Sequence, residues 1–184
     1  MARRGHVPLS AAGVTIRRAT IADAAAIATI QVHGHRFAYA GILPQPLSDE
    51  EWIAQRTEVW QRLLAPEKPG CAFVAERDAR AIGFVTVGPS DDATLPPTTG
   101  MLFALYLEPD VIGSGVGRAL LAHGVDELRA RGFRDAVLWV LEENARGRRF
   151  YELAGWSFDG TRKDYERDGA PRHELRYRRA LFCQ

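Results

Sequence analysis

Three glycines on alternate positions, Gly113, Gly115 and Gly117, are the feature of the sequence with the clearest chemical meaning. They follow an apolar run that predicts a buried strand and precede a pattern that predicts a helix. The first N–H groups of a helix have no intrahelical partner, so a helix start binds anions such as phosphate. Glycines permit the backbone angles that direct several N–H groups at one point, and Arg118 adds a positive charge. The spacing predicts a phosphate-binding loop over residues 113–118 rather than only a tight turn.

Two common phosphate-binding loops fit this segment less well. The P-loop ends in Gly-Lys-Ser or Gly-Lys-Thr, whereas this segment ends in Gly117-Arg118-Ala119 and lacks a hydroxyl for magnesium. The dinucleotide-binding fingerprint requires a glycine where Arg118 stands and an acidic residue at the end of the next strand. Asp135 begins that strand instead, although Glu142 lies near its end. A dinucleotide-binding loop is therefore the less favoured alternative.

A second group of polar residues lies on one predicted helix. Asn144, Arg148 and Tyr151 are spaced i, i+4 and i+7, which places them on one face. Polar side chains on one helix face can form part of a site, and Tyr151 brings a phenol with an ordinary pKa of about 10. The structural alternatives are that Asn144 is only the helix N-cap and that Tyr151 is only a packing aromatic.

The surrounding pattern predicts the elements that position these residues. In chain order it predicts a strand (14–19), a helix (21–40), a helix capped by Ser48, a hairpin (71–89), a strand (101–109), a helix (115–131), a strand (135–141), a helix (144–155) and a closing pair of strands. The first helix is predicted to kink or break near Gly34. Antiparallel strands followed by strand–helix–strand predict a mixed α/β sheet with helices on both faces.

Length and charge restrict the class of protein. The 184 residues suit one domain over 13–184, preceded by a flexible lead-in over 1–12. A net charge of +1 gives no electrostatic argument for a nucleic-acid or membrane partner, and no apolar run approaches the roughly 18 residues of a membrane span. Cys71 and Cys183 are far apart and match neither a metal site nor a disulfide framework, which favours the cytoplasm.

Three segments carry a resemblance to a known family. They are LYLEPDVIGSGVGRALL, LWVLEENARGRRFYELAGW and HGHRFAYAGILP. The first two resemble the pyrophosphate loop and the second diagnostic segment of the GNAT superfamily of acyl-CoA-dependent N-acetyltransferases. The third is similar to a bacterial subgroup with an aromatic-Tyr-Gly-Ile-Leu-Pro stretch. One position departs from the family, because Ile112 stands where the loop usually has Arg or Gln.

The resemblance implies a fold and a reaction. The fold would be a mixed, mostly antiparallel sheet of about seven strands, with helices on both faces and a splayed V between strands 4 and 5. The reaction would be transfer of an acetyl group from acetyl-CoA, without a metal, to a primary amine of a small molecule or peptide. Family members often dimerise through their C-terminal strands, so HELRYRRAL predicts a homodimer with an unpaired strand edge.

The resemblance also assigns roles to individual residues. Tyr151 corresponds to the general acid. The residues expected to bind the cofactor are Leu105, Tyr106, Leu107, Gly113, Ser114, Gly115, Val116, Gly117, Arg118, Asn144 and Arg148.

The general base is not assigned by the sequence. Residues 101–103 lack the Glu that some family members carry on the fourth strand, and Trp139 stands where others have a Glu. The remaining candidates are His33, His35 and Tyr39. Because no base is evident, a catalytically silent acyl-CoA-binding or regulatory module is the alternative to an enzyme. The acceptor is open as well: Glu50, Glu51 and Glu58 would suit a cationic amine, but any amphipathic helix has this pattern.

Overall fold

The protein is seen in a computed structural model that describes residues 13–45, 47–65, 71–167 and 170–182. The predicted lead-in over 1–12 and Cys183 lie outside the described residues. The elements are β1 (Thr15–Arg18), α1 (Ala24–Ala38), α2 (Asp49–Leu63), β2 (Cys71–Arg77), β3 (Arg80–Pro89), β4 (Thr99–Leu107), α3 (Val116–Ala130), β5 (Asp135–Leu141), α4 (Ala145–Leu153), β6 (Ser157–Arg167) and β7 (Ala170–Ala180).

The described strands form one seven-stranded sheet in the order β1-β2-β3-β4-β5-β7-β6. Only β4 and β5 run parallel, and every other neighbouring pair is antiparallel. This confirms the predicted mixed, mostly antiparallel sheet. The prediction of an unpaired edge at HELRYRRAL is wrong, because β7 is hydrogen-bonded to β5 on one side and to β6 on the other. The free edge at this end of the sheet belongs to β6.

Helices cover both faces of the sheet and bury two apolar clusters. Phe73 packs in the cluster that contains α3, while the next residue, Val74, packs with α1 and α2. This alternation is what a strand with both faces covered requires. The apolar stripe of α3, which consists of Leu121, Val125 and Leu128, is fully buried. Burial of each such side chain stabilises the fold by roughly 1.5–3 kcal/mol and gives the strands a rigid support.

Two helix starts are capped by side chains, and the one at Ser48 was predicted. Ser48 Oγ accepts a hydrogen bond from Glu51 N at 3.3 Å, and Glu51 Oε2 accepts one from Ser48 N at 3.0 Å. At the start of the chain, Thr20 N donates to Asp23 Oδ2 at 2.7 Å, ahead of a short 3-10 turn that leads into α1. None of the described helices combines the length and the apolar character that a membrane span needs.

The first long helix is continuous, so a break at Gly34 is excluded and that part of the prediction is wrong. A Cβ at this position would lie 2.9 Å from Leu107 O and 3.0 Å from the ring of Tyr106. Glycine therefore lets α1 lie directly on β4, and the hydrogen bonds of the helix offset its low helix propensity.

The sheet opens between β4 and β5. These strands pair only from Thr99/Asp135 to Met101/Val137, after which β4 continues with β3 and β5 continues with β7. The opening begins beside a β-bulge in β4. Leu102 and Ala104 pair with consecutive residues of β3, so Phe103, which lies between them, has no partner there. The register confirms the predicted V between strands 4 and 5.

Candidate functional site

The glycine loop connects the open end of β4 to α3. Gly113 and Gly115 have φ angles of +89° and +90°, which glycine adopts far more readily than other residues. The first hydrogen bond of α3 joins Ala119 N to Gly115 O at 3.1 Å. The N–H groups of residues 116–118 therefore have no intrahelical partner and can bind an anion.

Gly117 serves a different purpose from the other two glycines. Its backbone is helical, and a Cβ here would lie 3.2 Å from Leu107 Cδ1 and 3.7 Å from Phe150. It allows α3 to pack closely on β4. At Gly113 an added Cβ meets no atom within 4 Å, so that position requires glycine for its conformation and not for space.

A cavity of about 560 Å³ extends from this loop into the opening between β4 and β5. Most of the predicted site residues line it: Leu105, Tyr106, Leu107, Gly113, Gly115, Gly117, Arg118, Asn144 and Tyr151. Ser114 and Val116 do not line it, because the Ser114 hydroxyl donates to Val111 O and Val116 is fully buried in the core. Among the described residues, no cluster of His, Cys, Asp or Glu is arranged to hold a metal ion.

The helix α4 contributes Asn144 to the cavity but not Arg148. Asn144 Oδ1 accepts a hydrogen bond from Gly147 N at 2.9 Å, so the residue is the N-cap and also part of the cavity wall. Arg148 instead donates to Glu142 O at 2.9 Å. Arg146 lines the cavity in its place, with its guanidinium 4.4 Å from the ring centre of Phe37. The basic run at 146–149 suggests a cation here, but only the helix orientation selects Arg146.

Tyr151 lies half-buried on the cavity wall. Its ring packs against Phe150 and Trp156, with centroids 5.2 and 6.3 Å apart. Burial, with a smaller effect of Tyr39, raises the pKa of Tyr151 well above its ordinary value. The phenol is therefore neutral at physiological pH and retains a proton that it can donate.

Two further phenols adjoin Tyr151. Tyr106 shares a side-chain hydrogen bond with Tyr39. Burial raises the pKa of Tyr106 well above 10, and the neighbouring phenols Tyr39 and Tyr151 add to this effect. The Tyr106 hydroxyl was not predicted from the sequence to be a polar group of the site, because an apolar strand with one tyrosine is typical of any core.

Among the three candidate bases, only Tyr39 lines the cavity. His35 is buried, with its ring 4.5 Å from that of Tyr39 and 4.8 Å from that of Trp52. His33 lies outside the cavity, where its Nδ1 is 2.9 Å from Oε2 of the buried Glu108.

Glu108 is a residue that the sequence analysis missed. It directly follows β4, and its backbone N donates to Ile82 O at 3.0 Å. Its contacts with Ile82 and His33 fix the point from which the glycine loop starts. The signal in the sequence is a single acidic residue between an apolar strand and a proline, a pattern that is common at the ends of strands without any functional role.

A second, larger cavity of about 930 Å³ lies beside α2. It meets the first at the bulge of β4, because Asp91, Phe103 and Ala104 line both. Its wall is mainly apolar and includes the thiol-bearing Cys71. Burial raises the pKa of this thiol to about 11, so Cys71 is not a nucleophile at neutral pH.

Comparison with known proteins places these features in a family. The sequence profile of the Acetyltransferase (GNAT) family matches residues 40–156. The uncharacterized N-acetyltransferase YuaI of Bacillus subtilis is 29% identical over 131 residues, which are 71% of this chain and 73% of YuaI. A mycothiol acetyltransferase of Thermomonospora curvata is 32% identical over 108 residues, which are 59% of this chain but only 33% of that protein.

Solved structures share the fold. The PaiA N-acetyltransferase of Thermoplasma acidophilum, in complex with coenzyme A, superposes with a TM-score of 0.72 at 20% identity. The alignment covers 91% of this chain and 98% of PaiA. YncA of Salmonella typhimurium, solved with acetyl-CoA, gives a TM-score of 0.67 at 24% identity and covers 93% of this chain and 95% of YncA.

Proposed function

Because the chain belongs to the acetyltransferase (GNAT) family, we propose that it transfers the acetyl group of acetyl-CoA to a primary amine of a small molecule or peptide. One observation carries the proposal. The opening between β4 and β5 has an anion-binding helix start at one end and the neutral phenol of Tyr151 on its wall.

The residues of the cavity suit acetyl-CoA. The N–H groups of residues 116–118 and the guanidinium of Arg118 suit the diphosphate. Beyond Met101, the edge of β4 that faces β5 has no ladder partner, so backbone groups of residues 102–107 are available to the amides of pantetheine. Asn144 also lines the cavity, and a role in binding there is compatible with helix capping.

Acetyl-CoA supplies the acetyl group as a thioester, and the transfer forms a C–N bond and breaks the C–S bond. In this proposal Tyr151 donates its phenolic proton to the departing sulfur and regains a proton from water. Backbone N–H groups on the edge of β4 that faces β5, beyond Met101, donate a hydrogen bond to the carbonyl oxygen as negative charge develops on it. The proton that the amine loses goes to solvent.

A thiol-release assay over a panel of amines tests the proposal. We expect CoA release that depends on the amine and exceeds hydrolysis without it. The alternative of a silent module predicts tight binding of acetyl-CoA by calorimetry together with no amine-dependent release for any member of the panel.

We also propose that the protein is a homodimer that associates through β6. This strand is the edge of the sheet at the end opposite β1, and the exposed Phe158 on it lies close in sequence to the exposed Leu153 of α4. Light scattering should give twice the chain mass, and a monomer mass at working concentration would contradict the proposal. A cytoplasmic location also stays a prediction, which fractionation of the source cells can check.

A further inference from the structure

Two arginines line the second cavity: Arg18, which is exposed, and Arg56, which is partly withdrawn from solvent. Arg56, on α2, is half-buried in its wall and donates from Nε to Gln31 Oε1 at 2.9 Å. Gln31 Oε1 also accepts a hydrogen bond from Trp60 Nε1 at 2.9 Å. Among the described residues, no carboxylate forms an ion pair with Arg56. The bond from Nε to Gln31 therefore orients the guanidinium and leaves its two terminal nitrogens available to a ligand.

The environment of Arg56 makes an unpaired cation costly. The cavity wall is mainly apolar, and burial lowers the pKa of Arg56, which is the effect of removing a charge from water. A guanidinium in such a place gains most from a ligand that accepts two parallel hydrogen bonds, and a carboxylate has this geometry.

The position of Arg56 connects it to the reaction site. It lies close enough to Tyr106 to affect the pKa of that phenol, and Tyr106 in turn adjoins Tyr39 and Tyr151. Asp91, an acidic residue, lies where the two cavities meet. Negative charge therefore lies at the junction, and positive charge lies inside the second cavity.

The acidic face of α2 does not contribute to this cavity. Glu50, Glu51 and Glu58 are exposed and are absent from its wall. The cationic amine that these residues suggested in the sequence is thus not supported by their placement, whereas Arg56 lies on the face of the helix that lines the cavity.

We propose that the second cavity binds the acceptor and that Arg56 anchors a carboxylate of it. The acceptor would be an amine with an apolar body and a carboxylate, as in an apolar amino acid, with its ammonium or amine group near Asp91 at the junction. This inference rests on the proposed acetyl transfer, because it names the class of amine that the same site uses.

Matched acceptors test the anchor. The probes are L-leucine and L-phenylalanine, each compared with its carboxamide, which has nearly the same shape without the negative charge. For Arg56→Gln we expect kcat/KM for the acids to fall about tenfold or more, since hydrogen bonds to charged groups contribute this much. The values for the carboxamides should stay within about twofold. Comparing variant with wild type for each probe cancels the difference in amine basicity between acid and amide.

Arg62→Gln is the control for this experiment. It removes the same charge from the same helix at an exposed position that does not line the cavity, and it should leave all probes unchanged. Melting temperatures of both variants show whether the fold is retained. Equal losses for acids and carboxamides in Arg56→Gln would overturn the anchor.

A binding measurement separates this inference from the proposed reaction. Calorimetric titration with N-acetyl-L-phenylalanine and with N-acetyl-L-phenylalaninamide needs no turnover. We expect the acid to bind at least about tenfold more weakly to Arg56→Gln than to wild type, with no change for the amide. If no amine is acetylated, the proposed function is wrong whatever these titrations show. If amines are acetylated but binding of the acid does not depend on Arg56, only the anchor is wrong.

Discussion

Replacing Tyr151 by Phe removes one proton donor and little else. The rings of Phe150 and Trp156 that pack against Tyr151 keep their partner, and Trp156 N still donates to the backbone O of residue 151. The described residues provide no hydrogen bond to the Tyr151 hydroxyl, so its loss leaves no group among them unsatisfied. The free energy of unfolding should change by less than about 0.5 kcal/mol, or roughly 1–2 °C in melting temperature.

The effect on the reaction should be much larger. If Tyr151 protonates the departing sulfur, kcat in the thiol-release assay should fall about 100-fold, at the low end for general acid catalysis. The affinity for acetyl-CoA, measured by calorimetry, should be unchanged. From the sequence alone, activity would be lost as the pH rises through the ordinary phenol pKa. Because the acid must be protonated to act and burial raises the pKa of Tyr151, we expect that loss only above about pH 10.

Other tyrosines serve as controls for this experiment. Tyr165→Phe removes a hydroxyl on β6 from a residue that does not line the cavity, and it should keep kcat. Tyr39→Phe removes a hydroxyl inside the cavity and should cost only a few fold, about 1 kcal/mol or less, because it loses the hydrogen bond with Tyr106 but not the proton donor. The reasoning is refuted if Tyr151→Phe keeps more than about half of kcat, or if Tyr39→Phe loses more than Tyr151→Phe does.

Three further predictions follow from described contacts. Gly115→Asp should weaken acetyl-CoA binding about tenfold more than Gly115→Asn in calorimetry, because both variants share the strain of the positive φ and only Asp repels the diphosphate. Gly34→Ala should lower the free energy of unfolding in denaturant by about 1–3 kcal/mol, since the added methyl group meets Leu107 O at 2.9 Å; unchanged stability would show that α1 can move away from β4. Arg17, hydrogen-bonded to Asp23, lowers the pKa of Asp23 from 3.8 to about 2, so the stabilisation is present above pH 3.8 and is lost as the pH falls towards 2. Thermal melts of the wild type should show this loss, and those of Asp23→Asn should not.

Local sequence signals were sufficient for most of the elements. The capping pair Ser48 and Glu51 marks the start of α2, and the apolar run over 135–141 coincides with β5. Both signals depend on residues that are neighbours in the chain. Gly34 misled because its low helix propensity is a local property, whereas the lack of space for a Cβ beside Leu107 O arises across the fold. The sheet edge was assigned to β7 instead of β6 for the same reason, since the sequence of a single strand does not determine its pairing partners.

The candidate site divides in a similar way. The loop glycines were predicted from type and spacing, but the sequence could not tell that Gly113 and Gly115 provide positive φ while Gly117 provides close packing. Asn144 and Arg148 share a predicted helix face, yet only Asn144 reaches the cavity, because Arg148 finds a backbone acceptor in Glu142 O. Arg56 gave no local signal at all.

The brief pairing of β4 with β5 has a mechanical consequence. The sheet consists of two halves, β1-β2-β3-β4 and β5-β7-β6. In the described chain, the strands of these halves pair only over three residue pairs, from Thr99/Asp135 to Met101/Val137. A molecule lying in the opening acts as a strut that ties the halves together along the rest of their length. At a concentration 100 times its Kd it would add about 2.7 kcal/mol to the free energy of unfolding. When a molecule is bound, amide hydrogen exchange should slow in both β4 and β5. Occupancy of the site would then be measurable as reduced opening across the middle of the sheet.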